Sequence, residues 1–297
     1  MRIPRTREQW AALGYIAGWR VVGKLPEKWV LAAARKAADR FSGDGRGPRQ
    51  LRRNLARVVG CAPEDVPDRL VRESMRSYLR YWVEAFRLPA EVGPELARRV
   101  GEDIDGLRLA LDAYDEGNGI ILVVTHSGNW DMAGMWVVEN IDQFTTVAER
   151  LKPEELYDAF VEFRETLGFE ILPLTGGEPP MVRLRERLRG GGIIALLGDR
   201  DFGGHGVEVD FCGEKTIMPV GAAQLAKETG AALMFAGLSF RPGGWNMKVY
   251  PRVPVEGRPV GDVVQDLATY MQTDIALHPA DWHMLQPLWP ADKKKGR

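Results

Sequence analysis

From about residue 100 onward the chain alternates short, continuous apolar runs with helical patterns, and few architectures accept that rhythm. Residues 119–124 (G-I-I-L-V-V) form one such run, and residues 144–148, 169–173, 193–197, 231–239 and 247–250 follow it. A strand with no polar alternation must be covered on both faces, which points to strands of a parallel sheet. Helical patterns fill the intervals at residues 132–140, 153–167, 181–188 and 219–229, and residues 260–277 form a closing helix. This order predicts an α/β fold with a central, mostly parallel sheet flanked by helices.

The first hundred residues read as helix throughout, at 10–24, 27–40, 49–59 and 66–88. Pro26 suits the start of the second helix, and Pro89 is expected to end the fourth. The expectation is a single domain over residues 1–297, with a helical N-terminal region at 1–100 and an α/β body at 101–297. Of the residues, 45% are hydrophobic and 27% charged, which excludes a disordered chain. Cys61 and Cys212 make neither a disulfide framework nor a metal-ligand spacing, so a reducing compartment fits best. No run reaches the roughly 20 apolar residues that cross a bilayer, and the basic start lacks the long apolar core of a secretory signal.

Open parallel sheets place their sites just beyond the C-terminal strand ends. The run at 119–124 ends in T-H-S-G-N-W-D, which sets His126 at a strand tip and Asp131 in the first turn of the next helix. There a carboxylate can hold one ring nitrogen and leave the other as a base, while helix-start N–H groups receive a developing anion. The same residues also suit a hydrogen-bonding strand end followed by an N-cap at Asn129 or Asp131. Ser127 invites a Ser–His esterase reading, but the Gly-x-Ser-x-Gly elbow is missing around it. Glu149 and Arg150 follow the run at 144–148, Arg164 lies on the next helix, and Asp199, Arg200 and Asp201 follow the run at 193–197. Together they form either a grip for an anionic head group or ordinary solvated ion pairs. Two carboxylates beside Arg200 suggest Mg2+, but the Gly-x-x-x-x-Gly-Lys-Ser/Thr loop is absent, and no metal site is expected.

The block His126–Asp131 resembles the His-x-x-x-x-Asp motif of glycerolipid acyltransferases. The wider text resembles the bacterial lipid A biosynthesis acyltransferase superfamily, and within it the actinobacterial phosphatidylinositol mannoside acyltransferases. The matching segments include R-Y-W-V-E-A-F-R-L-P (80–89), E-R-L-K-P-E-E-L (149–156), F-R-E-T-L-G (163–168) and G-D-R-D (198–201). G-V-E-V-D-F-C-G-E (206–214), the stretch 218–233 and H-P-A-D-W-H (278–283) complete a set that spans nearly the whole chain. Superfamily members often carry Glu where this chain has Asp131, and more often an aromatic residue where it has Cys212.

The resemblance implies an α/β acyltransferase on the inner face of the plasma membrane. It would move a palmitoyl-type chain from acyl-CoA to a mannose hydroxyl of a phosphatidylinositol mannoside. Acyl-CoA would be a co-substrate and no cofactor would be needed; related enzymes often use an acyl-carrier protein instead. His126 and Asp131 would be the catalytic pair. Glu149, Arg164, Asp199 and Arg200 would line the donor or acceptor pocket, and N–H groups of Ser127, Gly128 and Asn129 would hold the oxyanion. The rival readings are an acyltransferase for another lysolipid or lipid A-like sugar, a Ser127 esterase, and a non-catalytic lipid-binding protein.

The formal net charge of -1 hides an asymmetry: residues 1–60 carry 14 Lys and Arg against 4 Asp and Glu, and the remainder 26 against 37. Trp10, Tyr15, Trp19 and Trp29 interleave with Arg2, Arg5, Arg7, Arg20, Lys24 and Lys28, as in an interfacial anchor on an anionic phospholipid surface. The apolar face over residues 10–22 equally suits packing on the protein's own sheet. No stacking-and-basic stripe accompanies the charge, so a nucleic-acid partner is not expected.

Overall fold

A computed structural model of the chain describes residues 18, 21–43, 47–150, 154–201 and 203–293. Trp10, Tyr15, Trp19 and the basic residues Arg2 to Arg20 of the expected anchor lie outside the described residues. The helical front comprises α1 (Glu27–Phe41), α2 (Arg49–Val59), α3 (Asp68–Glu91) and α4 (Pro94–Val100). The body continues as β1 (Ile104–Asp105), α5 (Leu107–Asp115), β2 (Ile120–Val124), α6 (Trp130–Asn140), β3 (Phe144–Ala148), α7 (Glu154–Thr166) and β4 (Glu170–Pro173). Then come α8 (Pro180–Arg189), β5 (Ile193–Leu197), β6 (Val207–Phe211), β7 (Glu214–Met218) and α9 (Gly221–Thr229). The hairpin β8 (Ala232–Arg241) and β9 (Gly244–Val249), α10 (Val260–Leu277) and α11 (Pro290–Lys293) complete the order.

Seven strands form one sheet in the order β1-β9-β8-β2-β5-β3-β4. Its pairs are parallel except β8–β9, which is antiparallel. This is the α/β architecture that the alternation predicts. The unbroken apolar runs are explained by cover on both faces. Ile120 and Ile193 pack with Met135, Phe163 and Phe169 on the α4–α7 side. Ile121 and Ile194 pack with Leu188, Leu225 and Leu267 on the α8–α10 side.

One local expectation is corrected, and one hairpin is added to what the apolar runs show. Pro89 lies inside α3 rather than ending it. It sits in the last turn, where its missing N–H costs a single bond, and Val92 N–H still closes on Leu88 O at 2.8 Å. The hairpin β6–β7 lies in a stretch that the apolar-run criterion does not assign. V-E-V-D-F alternates, burying Val209 and Phe211 and exposing Glu208 and Asp210. Cys212 and Gly213 turn the chain with φ of 50° and 79°, the positive pair that a two-residue hairpin turn demands. The edge is finished by α10, whose Gln265 amide accepts from Asp210 N–H at 2.8 Å and donates to Asp210 O at 3.0 Å.

What positions the site is the register of the two central strands. Val124 lies opposite Leu197, and Gly198 N–H donates to Val124 O at 2.9 Å. Continued two residues past each strand end, the same register sets His126 beside Asp199.

Candidate active site

His126 and Asp199 meet as that register requires. The ring Nδ1 lies 2.7 Å from Asp199 Oδ1, and the His126 backbone N–H donates to Asp199 Oδ2 at 3.0 Å. Because the carboxylate only accepts, Nδ1 carries the proton and the neutral ring keeps its Nε2 lone pair free. Trp282 Nε1 donates a third bond to Asp199 Oδ2 at 2.9 Å. Asp199 is 0% exposed. Burial opposes its charge, but the electrostatic attraction of His126 and these three donors outweigh it and hold the carboxyl below the usual range. The His126 side chain is 21% exposed and faces the cavity described below.

Asp131, the acid expected on the ring, is turned elsewhere. Its Oδ1 accepts from Arg164 Nε at 2.8 Å, and its Oδ2 from Tyr81 OH at 3.1 Å and Arg164 Nη2 at 3.4 Å. No hydrogen bond joins Asp131 to His126. Burial works against the Arg164 charge, but Asp131 and Tyr81 more than compensate, and its pKa is raised. The physical reason for the exchange of acids is geometric: one helical turn carries Asp131 toward α3 and α7, whereas Asp199 stands two residues past the end of the neighbouring strand.

The loop 125–129 is also committed differently from the sequence expectation. Ser127 N–H donates to Thr125 O at 2.7 Å and Gly128 N–H to Asp281 O at 2.9 Å, so two of the three amides expected for an oxyanion are already bonded. Gly128 has φ of 56°, and a Cβ there would lie 2.8 Å from the Leu238 carbonyl carbon, so only glycine fits against β8. Asn129 caps α6, its Oδ1 accepting from Met132 N–H at 3.1 Å, and its Nδ2 donates to Glu84 Oε2 at 2.9 Å. Ser127 is buried and accepts from Thr125 Oγ1 at 2.9 Å, with no hydrogen bond to His126. That arrangement is not a Ser–His nucleophile.

A late segment ties this loop down. Trp282 forms a β-bridge with Ser127, and His283 N–H donates to His126 O at 2.7 Å. The Asp281 carboxylate accepts from Ser77 Oγ on α3 at 2.7 Å and from Phe240 N–H on β8 at 2.9 Å. Because Ser77 spends its proton on Asp281, His283 Nε2 donates to Ser77 Oγ at 2.9 Å, leaving a buried, unpartnered Nδ1. Burial pushes His283 down to about 3. Glu84, buried and raised by desolvation, gathers Arg80, Asn129 and Trp245. Sequence reasoning assigned no role to Ser77, Tyr81, Glu84, Asp281, Trp282 or His283. A signal was present for three of them: Ser77, Tyr81 and Glu84 recur at helical spacing, a polar stripe on an otherwise buried face.

Around His126 opens a cavity of about 870 Å³, within the range of small-ligand sites. Trp136, Ile141, Phe144, Phe160 and Leu238 line it on one face of the sheet, and Glu149, Arg164 and Arg200 border it. Glu149 is exposed and Arg200 half-buried. Trp130 stands edge-on to His126 at 5.8 Å and lies over Tyr81 at 4.1 Å. The His126 ring stands at the rim of this apolar chamber.

The α/β sheet thus carries a histidine–carboxylate pair at its strand tips, with an apolar chamber beside it. The chain belongs to the bacterial lipid A biosynthesis acyltransferase family, whose profile matches residues 1–291, and is an acyltransferase. It is 54% identical to the phosphatidylinositol mannoside acyltransferase of Mycolicibacterium smegmatis over 282 residues, covering 94% of this chain and 91% of that protein. Against the phosphatidylinositol mannoside acyltransferase of Mycobacterium tuberculosis it is 51% identical over 296 residues, covering 99% and 92% respectively.

Proposed function

We propose that this protein transfers a long-chain, palmitoyl-type acyl group from acyl-CoA to a mannose hydroxyl of a phosphatidylinositol mannoside. The observation that carries the reading is the His126–Asp199 pair opening on the apolar cavity, and the names of the relatives point to the acceptor. His126 Nε2 takes the hydroxyl proton as the sugar oxygen attacks the thioester carbonyl, and Asp199 holds the resulting imidazolium. The tetrahedral intermediate collapses, the C–S bond breaks, and the imidazolium returns its proton to the departing thiolate. An ester and a free thiol result, with no acyl-enzyme. In the loop 125–129 the Asn129 N–H remains as the backbone donor for the oxyanion. Asp131, Arg164 and Tyr81 shape the wall behind Trp130, and Glu149 and Arg200 meet polar parts of donor or acceptor at the rim.

The same reading seats the enzyme on the cytoplasmic face of the plasma membrane. Trp29 and Phe41 on α1 are 77% and 69% exposed, and Leu25 is exposed too, with Lys24, Lys28 and Lys36 around them. Each basic residue adds about 1 kcal/mol at an anionic leaflet. Among the described residues no helix is long and apolar enough to cross a membrane.

The test is transfer from palmitoyl-CoA, and separately from palmitoyl-acyl carrier protein, to purified glycolipid acceptors, read by mass spectrometry. His126→Ala is expected to lower turnover by ~10²–10⁴-fold. A folded His126→Ala variant that transfers at the wild-type rate would sink the mechanism. Transfer only to other sugars or lysolipids would sink the acceptor.

A further inference from the structure

Behind the loop 125–129 stands a buried carboxylate that takes no part in the proton transfer, Glu84 of α3. Its Oε1 accepts from Arg80 Nε at 2.6 Å, and its Oε2 from Asn129 Nδ2 at 2.9 Å and Trp245 Nε1 at 2.8 Å. Each oxygen meets only donors, so a proton on either would lack an acceptor, and the group stands ionised. Arg80 is held in turn. Its Nη1 donates to Arg241 O at 3.3 Å and its Nη2 to Gly244 O at 2.9 Å, and its guanidinium lies 4.0 Å over the Phe240 ring. Burying an ion pair adds little net stability compared with apolar packing. What this pair adds is a fixed acceptor beside the loop that carries His126.

A carboxylate only accepts, so it decides which end of the Asn129 amide faces it. Nδ2 turns to Glu84 and Oδ1 to Met132 N–H, and the side chain is held at both ends. The backbone at this point needs that hold. Gly128 N–H is pinned to Asp281 O, but the next peptide bond, which carries the Asn129 N–H, follows a glycine at φ of 56°. Glycine places few steric limits on its own dihedrals, so the direction of that N–H depends on the clamped Asn129, at φ of -134° and ψ of 94°. We infer that Glu84 is a positioning residue for acyl transfer, acting through the Asn129 side chain to aim the Asn129 N–H at the reacting carbonyl oxygen. The inference rests on the proposed transfer reaction for the identity of that oxygen.

The test is a double-mutant cycle on the full-length protein, read as transfer from palmitoyl-CoA to phosphatidylinositol mannoside. Glu84→Gln cannot accept from both Arg80 and Asn129. Asn129→Asp keeps an oxygen for the α6 cap but sets a second carboxylate against Glu84. Each is expected to lower kcat about 10²-fold. KM for the acyl donor and the midpoint of the kcat–pH profile should not move, because His126 and Asp199 are untouched. In the double variant the bond re-forms with its polarity reversed, the new amide donating to the new carboxylate. Its kcat is expected to regain about tenfold over either single variant. Trp245→Phe removes the third donor without touching Asn129, and is expected to lower the unfolding temperature at unchanged kcat. Losses that multiply in the double variant overturn the proposal, as does a folded Trp245→Phe as slow as Glu84→Gln. Should Glu84→Gln fail to fold, Asn129→Asp against the double variant decides the same question. Hydrogen exchange of the peptide spanning residues 125–132 separates the clamp from the reaction. Faster exchange in Glu84→Gln, reversed in the double variant, with no transfer by the wild type, sinks the acyl-transfer reading while the clamp stands. Unaltered exchange in folded Glu84→Gln sinks the clamp.

Discussion

Two buried carboxylates stand on either side of the loop that follows β2, and their partners separate their roles. Asp131 is tied to Arg164 and Tyr81, a cation that never titrates in the working range and a neutral hydroxyl. Asp199 is tied to His126 and Trp282, an imidazole ring and a neutral indole. Each node pairs a carboxylate with a nitrogen-bearing side chain and one neutral donor. Only the second joins a carboxylate to an imidazole ring. The first is built to hold α6, α7 and α3 together beside it.

Paired substitutions break or sharpen that contrast. Asp199→Asn is expected to lower turnover by ~10²–10⁴-fold, since the ring loses the charge that supports its protonated state. Asp131→Asn is expected to act chiefly on stability, costing about 3–5 kcal/mol in denaturant unfolding because Arg164 is left buried without its counter-charge. If Asp131→Asn abolishes turnover with stability intact, Asp131 acts at the reacting atoms and the contrast collapses.

The next effect is in pH. Folded His283 titrates at about 3, against about 6.5 for an unperturbed histidine. Between those values the unfolded chain binds a proton that the folded protein refuses, so stability falls as pH drops below 6.5, by roughly 1.4 kcal/mol per unit. His283→Gln should flatten that slope in unfolding curves taken at pH 7, 6 and 5. An unaltered slope would place the acid sensitivity elsewhere. The smallest effects concern the neutral donors. Tyr81→Phe and Trp282→Phe each remove one bond to a carboxylate, expected to cost about 1.5–3 kcal/mol in stability. Trp282→Phe alone should also slow turnover; an equal kinetic loss in Tyr81→Phe would show that the two nodes act as one.

Much of the architecture was legible from residue order. The runs at 144–148 and 193–197 are β3 and β5, and the pattern at 260–277 is α10. Each follows from local periodicity, which is a property of neighbours in the chain. The hairpin β6–β7 was not legible as an apolar run, because its outward face is charged and its inward face depends on α10 and the closing segment. At the site, His126 was recognised by its place at a strand tip. Its partner was misread because Asp131 is near in sequence, while Asp199 is near only through strand register.

The order of residues by itself determined the α/β class, the strand-tip position of His126 and the set of polar residues from which a site is drawn. Only the tertiary structure decided which carboxylate meets the ring, which amides of the 125–129 loop are already bonded, and which side chains line the cavity. The physical reason is range. Helical and strand periods act over a few residues, whereas the bonds from Asp199 to His126 and Trp282 span 73 and 83 residues and exist only once the sheet is paired.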